Sequence, residues 1–224
     1  ESPDLPETPP EDARPEVSEA AAMPEEELSP VDRAILRARN ALNPRTGVER
    51  IEELLQSLEN LGKASELYAA KAGLQLQLEP PDLDGAAVAA AEALTYAGSA
   101  EERDEAACVQ VEVLRRSGDV EAAQERAAEV VAGEGPVTTG KLNTALQLAA
   151  MKREAGDSEA AAQAYREVMR QVSEAGDGAG ARGEDLYRQA ALNLVQVLRE
   201  AGKRDEAEKV AEEFDQRVAR LRDG

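Results

Sequence analysis

Residues 151–161 read MKREAGDSEAA, and the same arrangement recurs as LRRSGDVEAA at 114–123 and as LREAGKRDEA at 198–207. In each stretch, one or two basic residues precede a glycine, and an aspartate and one or two alanines follow it. Basic side chains suit the last turn of a helix, glycine suits the left-handed position that ends it, and aspartate can cap the next helix. The three stretches therefore predict three helix-turn-helix units.

The composition of the whole chain favours the same class of structure. The strong helix formers Ala, Leu, Glu, Arg, Gln, Lys and Met account for 139 of the 224 residues. Residues that favour strands are far fewer, with 17 Val, 6 Thr, 4 Tyr, 2 Ile, 1 Phe and no Trp. We therefore expect an all-α fold.

Charge and missing residue types exclude several functions. The net charge of −20 repels polyanions, which argues against nucleic-acid binding. The chain has no histidine and a single cysteine, Cys108, so an imidazole base, an intrachain disulfide and a cysteine zinc site are all excluded. No apolar run has the length of a membrane span. We expect a soluble protein that is not an enzyme and needs no cofactor or metal.

The first 28 residues differ from the remainder of the chain. They contain six of the 11 prolines and carry a net charge of −9. Such a segment buries too little apolar surface to offset its ordering entropy. We predict an extended, acidic, proline-rich arm or linker over 1–28 and a helical repeat domain over 29–224. Because the chain starts at Glu1 without Met, a second hypothesis is that a signal peptide or an anchor has been removed and that the arm is a spacer.

Glycine, proline and capping residues divide the remainder into ten predicted helices. Ser29 and Pro30 suit the start of the first helix, and Ser99 with Glu102 has the spacing of a capping box. The helices are predicted at 30–42, 47–60, 63–79, 83–97, 100–116, 119–132, 138–154, 157–174, 184–200 and 203–222. In the last of these the apolar residues recur at steps of three and four, which indicates a single buried face.

The units around Gly118, Gly156 and Gly202 resemble the tetratricopeptide repeat (TPR), whose helix pairs turn at Gly-Asp or Gly-Lys. The small second-helix position of that family falls on Ala123, Ala161 and Ala207, whereas Gln110 departs from an apolar first-helix position. The turn glycines are 38 and 46 residues apart, which is similar to longer-repeat variants. The resemblance implies a right-handed α-solenoid of about five antiparallel helix pairs.

The resemblance also implies a concave groove, lined by the first helix of each pair, that holds a peptide or a partner helix. In the family's register the polar groove positions are Glu105, Glu112, Arg116, Asn143, Gln147, Gln189, Asn193 and Gln196. The other groove positions are Cys108, Val109, Leu146, Ala150 and Leu192. Amide side chains both donate and accept hydrogen bonds, which suits contact with a peptide backbone. The alternative is that these residues are solvated and bind nothing. The lysines and asparagines of the chaperone-binding subclass are not present at its positions.

Two stretches match nucleotide-binding motifs by their letters alone. GPVTTGKL at 135–142 follows the phosphate-loop spacing except at Leu142, and GAGARG at 178–183 matches the dinucleotide fingerprint. Both motifs require a preceding strand, and here both follow a predicted helix. We interpret the first as a turn with Thr138 or Thr139 as N-cap, and the second as a flexible loop. Cys108, without a histidine to activate it, is interpreted as a buried small residue.

These observations give two functional hypotheses. The first is a non-catalytic protein-protein interaction scaffold or adaptor, as a subunit of a larger assembly. The second is a peptide-responsive signalling regulator that sequesters a partner protein. An extracytoplasmic or membrane-tethered bacterial protein is favoured over a cytoplasmic one. Acidity of this size fits either a basic partner or the proteome of a high-salt or high-GC organism.

Overall fold

The structure, a computed structural model, describes residues 28–57, 62–175 and 180–223. These residues form ten α-helices and no strand, so the predicted all-α class is confirmed. Except for Leu28, the predicted arm lies outside the described residues. The helices are α1 (Pro30–Arg39), α2 (Pro44–Leu55), α3 (Ala64–Leu76), α4 (Leu83–Tyr96), α5 (Ala100–Arg116), α6 (Val120–Ala132), α7 (Thr139–Glu154), α8 (Ser158–Ala175), α9 (Gly180–Glu200) and α10 (Arg204–Asp223).

Side-chain caps set the starts of several helices. The Ser29 hydroxyl accepts a hydrogen bond from the backbone N–H of Asp32. Ser99 and Glu102 form the predicted capping box, because each side chain accepts from the backbone N–H of the other residue. Thr138 caps α7 by accepting from the N–H of Lys141 at 3.0 Å. The stretch 135–142 is therefore a turn followed by a helix, as predicted, and it has no strand before it.

The three repeated glycines have the same backbone geometry. Gly118, Gly156 and Gly202 have φ values of +87°, +83° and +75°. These values lie in the left-handed region, which residues other than glycine rarely adopt. In each case the N–H of the following residue donates to the carbonyl five residues before it, at 2.8–3.0 Å. This pattern satisfies carbonyls that the end of a helix leaves unpaired. The predicted turns are confirmed at these three positions.

Several predicted boundaries are wrong by a turn. Helix α2 begins at Pro44 rather than residue 47, because Asn43 caps it and Pro44 occupies the first helical position. Helix α9 begins at Gly180 rather than residue 184, so the predicted loop is wrong for 180–183, and residues 176–179 lie outside the described residues. Helices α1 and α3 each end three residues before the predicted position.

Each helix packs against the next one along the chain. In addition, α1 contacts α3, α3 contacts α5, α5 contacts α7, and α7 contacts α9. The odd-numbered helices therefore lie side by side, and they share one face of the described structure. The small second-helix alanines Ala123, Ala161 and Ala207 are at most 1% exposed. Gln110, the departure from the family pattern, accepts a hydrogen bond from Arg126 Nε of α6 at 3.0 Å.

The backbones of two odd-numbered helices approach each other closely at Gly140 of α7. A Cβ atom at this position would lie 2.4 Å from the backbone nitrogen of Glu105 and 2.5 Å from the carbonyl carbon of Asp104, both in α5. Only glycine permits such direct contact between backbones. The Thr138 hydroxyl holds the same junction by a 2.6 Å hydrogen bond to Asp104. This junction sets the position of α7 relative to the acidic start of α5.

Candidate functional site

The face formed by the odd-numbered helices contains a concavity of about 240 Å³. Its lining comes from α1, α3, α5 and α9, so the first and the last odd-numbered helices meet at one cavity. The lining residues are Ile35, Arg39, Ser65, Glu66, Ala69, Glu101, Glu102, Glu105 and Arg182. Ile35, Ser65 and Ala69 are buried, whereas the charged residues are half-buried or exposed. The cavity thus combines an apolar base with four carboxylates and two guanidinium groups.

The carboxylates of this cavity are held by neighbouring groups. Glu105 Oε1 lies 3.2 Å from the guanidinium of Arg39, and Glu66 lies 2.7 Å from Lys63 Nζ. Glu101 accepts a hydrogen bond from the N–H of Thr139 in the next odd-numbered helix. Burial alone would raise the pKa of Glu102, but hydrogen bonds from the N–H groups of Gly98 and Ser99 outweigh it and hold that pKa below its usual value. The carboxylates are therefore fixed in place without a ligand.

A second ionic cluster joins the ends of α5 and α3. Glu112 accepts from Arg115 at 2.9 Å and from Arg116 at 2.7 Å, and Arg116 also donates to the carbonyl of Leu76, the last residue of α3. Burial raises the pKa of Glu112, but the two guanidinium groups lower it further than burial raises it, so the net pKa lies below its usual value. Of the predicted groove residues, Arg116 thus makes a contact between helices, and Glu112 pairs with Arg115 and Arg116 within α5.

The thiol of Cys108 lies on α5 between these two clusters. Burial raises its pKa to about 11, the carboxylates of Glu105 and Glu112 act in the same direction, and a hydrogen bond with Thr144 opposes them only partly. Because the thiolate is the nucleophilic form, Cys108 has little nucleophilic character near neutral pH. Cys108 is half-buried, whereas the sequence predicted a buried residue.

The predicted amide residues of α7 and α9 differ in how they are satisfied. Gln147 is half-buried, and its Oε1 is buried without a hydrogen-bond partner in the described structure. Asn143 and Asn193 are also half-buried, while Gln189 and Gln196 are exposed. Gln196 donates to Glu200 at 3.0 Å. Leu192, which lies in the same stretch of α9, is 58% exposed. This part of the face therefore offers a polar surface with one exposed large apolar side chain.

Of the eight predicted groove residues, only Glu105 lines the cavity. Sequence reasoning missed Arg39, Glu101, Glu102 and Arg182 as parts of it. Arg182 fell within the predicted loop, and Arg39 lies outside the three recognisable repeat units. The capping-box spacing identified Glu102 as a residue at the start of a helix. That spacing involves only neighbouring residues, so it does not indicate which cavity the start of the helix faces.

The described residues hold neither a cluster of metal ligands nor a membrane span. No group of three or more His, Cys, Asp or Glu side chains in residues 28–57, 62–175 and 180–223 is arranged to hold a metal ion. None of the helices described there combines the length and the apolar character that crossing a membrane requires.

Comparison with known proteins identified no match to a family model, to a curated protein or to a solved structure.

Proposed function

We propose that this protein is a non-catalytic scaffold or adaptor that binds a partner segment along the face of its odd-numbered helices. In this proposal the ten helices form a right-handed, TPR-like α-solenoid of five antiparallel pairs. The binding face then runs from the cavity at Glu105 to the amide residues of α7 and α9.

The observation that carries the proposal is that α1, α3, α5 and α9 line one cavity. Helices that lie side by side in a flat row would bring only neighbouring members to a common cavity. A row that curves brings its two ends towards each other, and its inner side is then concave. Concave surfaces built from stacked helix pairs are the usual binding surfaces of helical repeat proteins.

The polar groups of this face also support binding of a peptide. The unpaired Oε1 of Gln147 is a buried acceptor, and such a group costs free energy unless a donor reaches it. A backbone N–H of an extended partner segment is a donor of the required kind. Leu192, exposed on α9, offers an apolar contact to a side chain of the same segment.

A peptide library displayed on phage and selected against the full chain tests the proposal, because the library samples many partner sequences at once. We expect selected peptides to bind the unaltered chain and to lose about tenfold in affinity for the double variant Asn143→Ala, Gln147→Ala. One lost hydrogen bond to a buried acceptor accounts for a change of this size.

The matched control removes two amides from the even-numbered helices. Gln163 of α8 and Gln216 of α10 are both exposed, and their replacement by alanine should leave affinity unchanged. Equal affinities for all three proteins would refute the assignment of the binding face.

A further inference from the structure

The first helix pair carries a cluster of arginines in a chain that is otherwise strongly acidic. Residues 29–57, which include α1 and α2, have a net charge of +1, whereas the whole chain has a net charge of −20. Arg33, Arg37 and Arg50 line a cavity of about 580 Å³ between the two helices. Among the described residues that line it, Glu53 is the single carboxylate, so that part of the lining has a net positive charge.

Apolar side chains lie beside these arginines. Ala34 and Leu54 line the same cavity, and a second, smaller cavity shares Arg37 and Arg50 with it and adds Leu36 and Ala41. Leu36 is 39% exposed, and Leu42, in the turn between the two helices, is fully exposed. The surface is therefore suited to an acidic segment that also contains apolar residues.

Residues 1–27 of this chain have that chemistry, and they are joined to the described structure at Leu28, beside this surface. The carbonyl of Leu28 accepts a hydrogen bond from Arg33 at 3.1 Å. Leu28 directly follows the acidic segment, so this hydrogen bond holds the end of that segment beside the cavity that Arg33 lines. Residues 1–27 carry a net charge of −9, and three consecutive glutamates at 25–27 directly precede Leu28. Their apolar residues include AAAM at 20–23.

We propose that the acidic residues 1–27 bind in cis to the arginine-lined surface of the first helix pair. The covalent connection keeps their effective concentration high, so weak individual ion pairs are sufficient. Binding covers the apolar side chains of α1, which is the first helix in the described part of the chain. An acidic partner segment that uses this surface must then displace residues 1–27, so the arm competes with such partners.

Proteolysis of the full chain with a protease that cleaves after glutamate tests this inference. Residues 1–27 contain eight glutamates, and mass spectrometry identifies fragments cut before Leu28. Each rate is divided by that of a synthetic peptide of residues 1–28, which removes the effect of salt on the protease. When opening and closing are fast, the relative rate reports the unbound population of the arm.

We expect the variant Arg33→Gln, Arg37→Gln, Arg50→Gln to be cut about tenfold faster than the unaltered chain at low salt. A tenfold change corresponds to about 1.4 kcal/mol, which three ion pairs at exposed or half-buried arginines can supply together. The matched control replaces Arg103, Arg199 and Arg204, which are exposed elsewhere, with Gln and has the same net charge. It should be cut at the rate of the unaltered chain.

The unaltered chain gives an independent readout that needs no substitution. Because salt screens exposed charges, its relative cleavage rate should rise at about 0.5 M NaCl to that of the arginine variant. Equal rates for the unaltered chain and the arginine variant at low salt would overturn the inference, as would a rate in the unaltered chain that does not depend on salt. Protection that increases with protein concentration would show that the arm binds a second copy, which also contradicts binding in cis.

Discussion

Replacement of Gly140 by alanine is the sharpest test of how the odd-numbered helices pack. The new Cβ would lie 2.4 Å from the backbone nitrogen of Glu105, whereas ordinary contacts at such a position are 3.4–4 Å. The obstacle is backbone and cannot rotate away, so α7 and α5 must separate by about 1 Å, a shift of the kind that makes overpacked contacts unfavourable.

The expected cost is the balance of two opposing terms. Overpacking of this kind destabilises by about 1–3 kcal/mol, and a clash with backbone belongs near the upper end of that range. Alanine in place of glycine within a helix recovers at most about 1 kcal/mol. We therefore expect the Gly140→Ala protein to be less stable than the unaltered chain by about 1–2 kcal/mol.

The matched control is Gly73→Ala in α3, where an added Cβ meets no atom within 4 Å. That variant should gain up to about 1 kcal/mol from helix propensity alone. Urea unfolding followed by helical circular dichroism measures both, provided that the denaturant slopes of the three proteins agree. If Gly140→Ala is as stable as Gly73→Ala, the close contact between α5 and α7 is wrong, and so is the argument for the cavity that α5 helps to line.

Three further predictions concern single residues. Gly156→Ala should destabilise by about 1–2 kcal/mol in the same urea assay, because a Cβ disfavours the left-handed conformation; an unchanged midpoint would contradict the turn geometry. Cys108 should react with iodoacetamide at pH 8 roughly 100-fold more slowly in the folded chain than in urea, because its pKa is raised from 9.0 to about 11; equal rates would show an exposed thiol. Glu112→Gln should cost about 1–2 kcal/mol at pH 7. Because folding lowers the pKa of Glu112, its carboxylate stabilises the folded chain at pH values above the pKa of the unfolded state, and this contribution is lost as the pH falls through the pKa of the folded state. The Gln variant lacks this contribution and should therefore lose less stability on acidification. Identical acid dependence of the two proteins would refute this.

The local features of this chain follow from short stretches of its sequence. Ser99 with Glu102 predicts a capping box, and Gly156 followed by Asp157 predicts a left-handed turn and a cap, because each signal acts between residues at most a few positions apart. The ten helices and the all-α class follow from the same kind of information. The errors lie at boundaries such as Pro44 and Gly180, where a proline or a glycine indicates a turn yet also fits the first positions of a helix.

The candidate site could be predicted only in part, for a different reason. The predicted register named Glu105, which lines the cavity, and Gln147, whose side-chain carbonyl oxygen is buried without a partner in the described structure. It gave no indication that Arg116, which forms an ion pair with Glu112, joins α5 to the carbonyl of Leu76. That carbonyl lies 40 residues before Arg116 in the chain, beyond the reach of any local pattern.

The sequence by itself determined the ten helices apart from errors at their ends, the turns at Gly118, Gly156 and Gly202, and the buried alanines Ala123, Ala161 and Ala207. Only the tertiary structure decided that Arg39 meets Glu105 and that Arg182 joins them at one cavity. The physical reason is that such meetings depend on the crossing angles of successive helices. Each angle is set by many small side-chain contacts, and their effects accumulate along the chain.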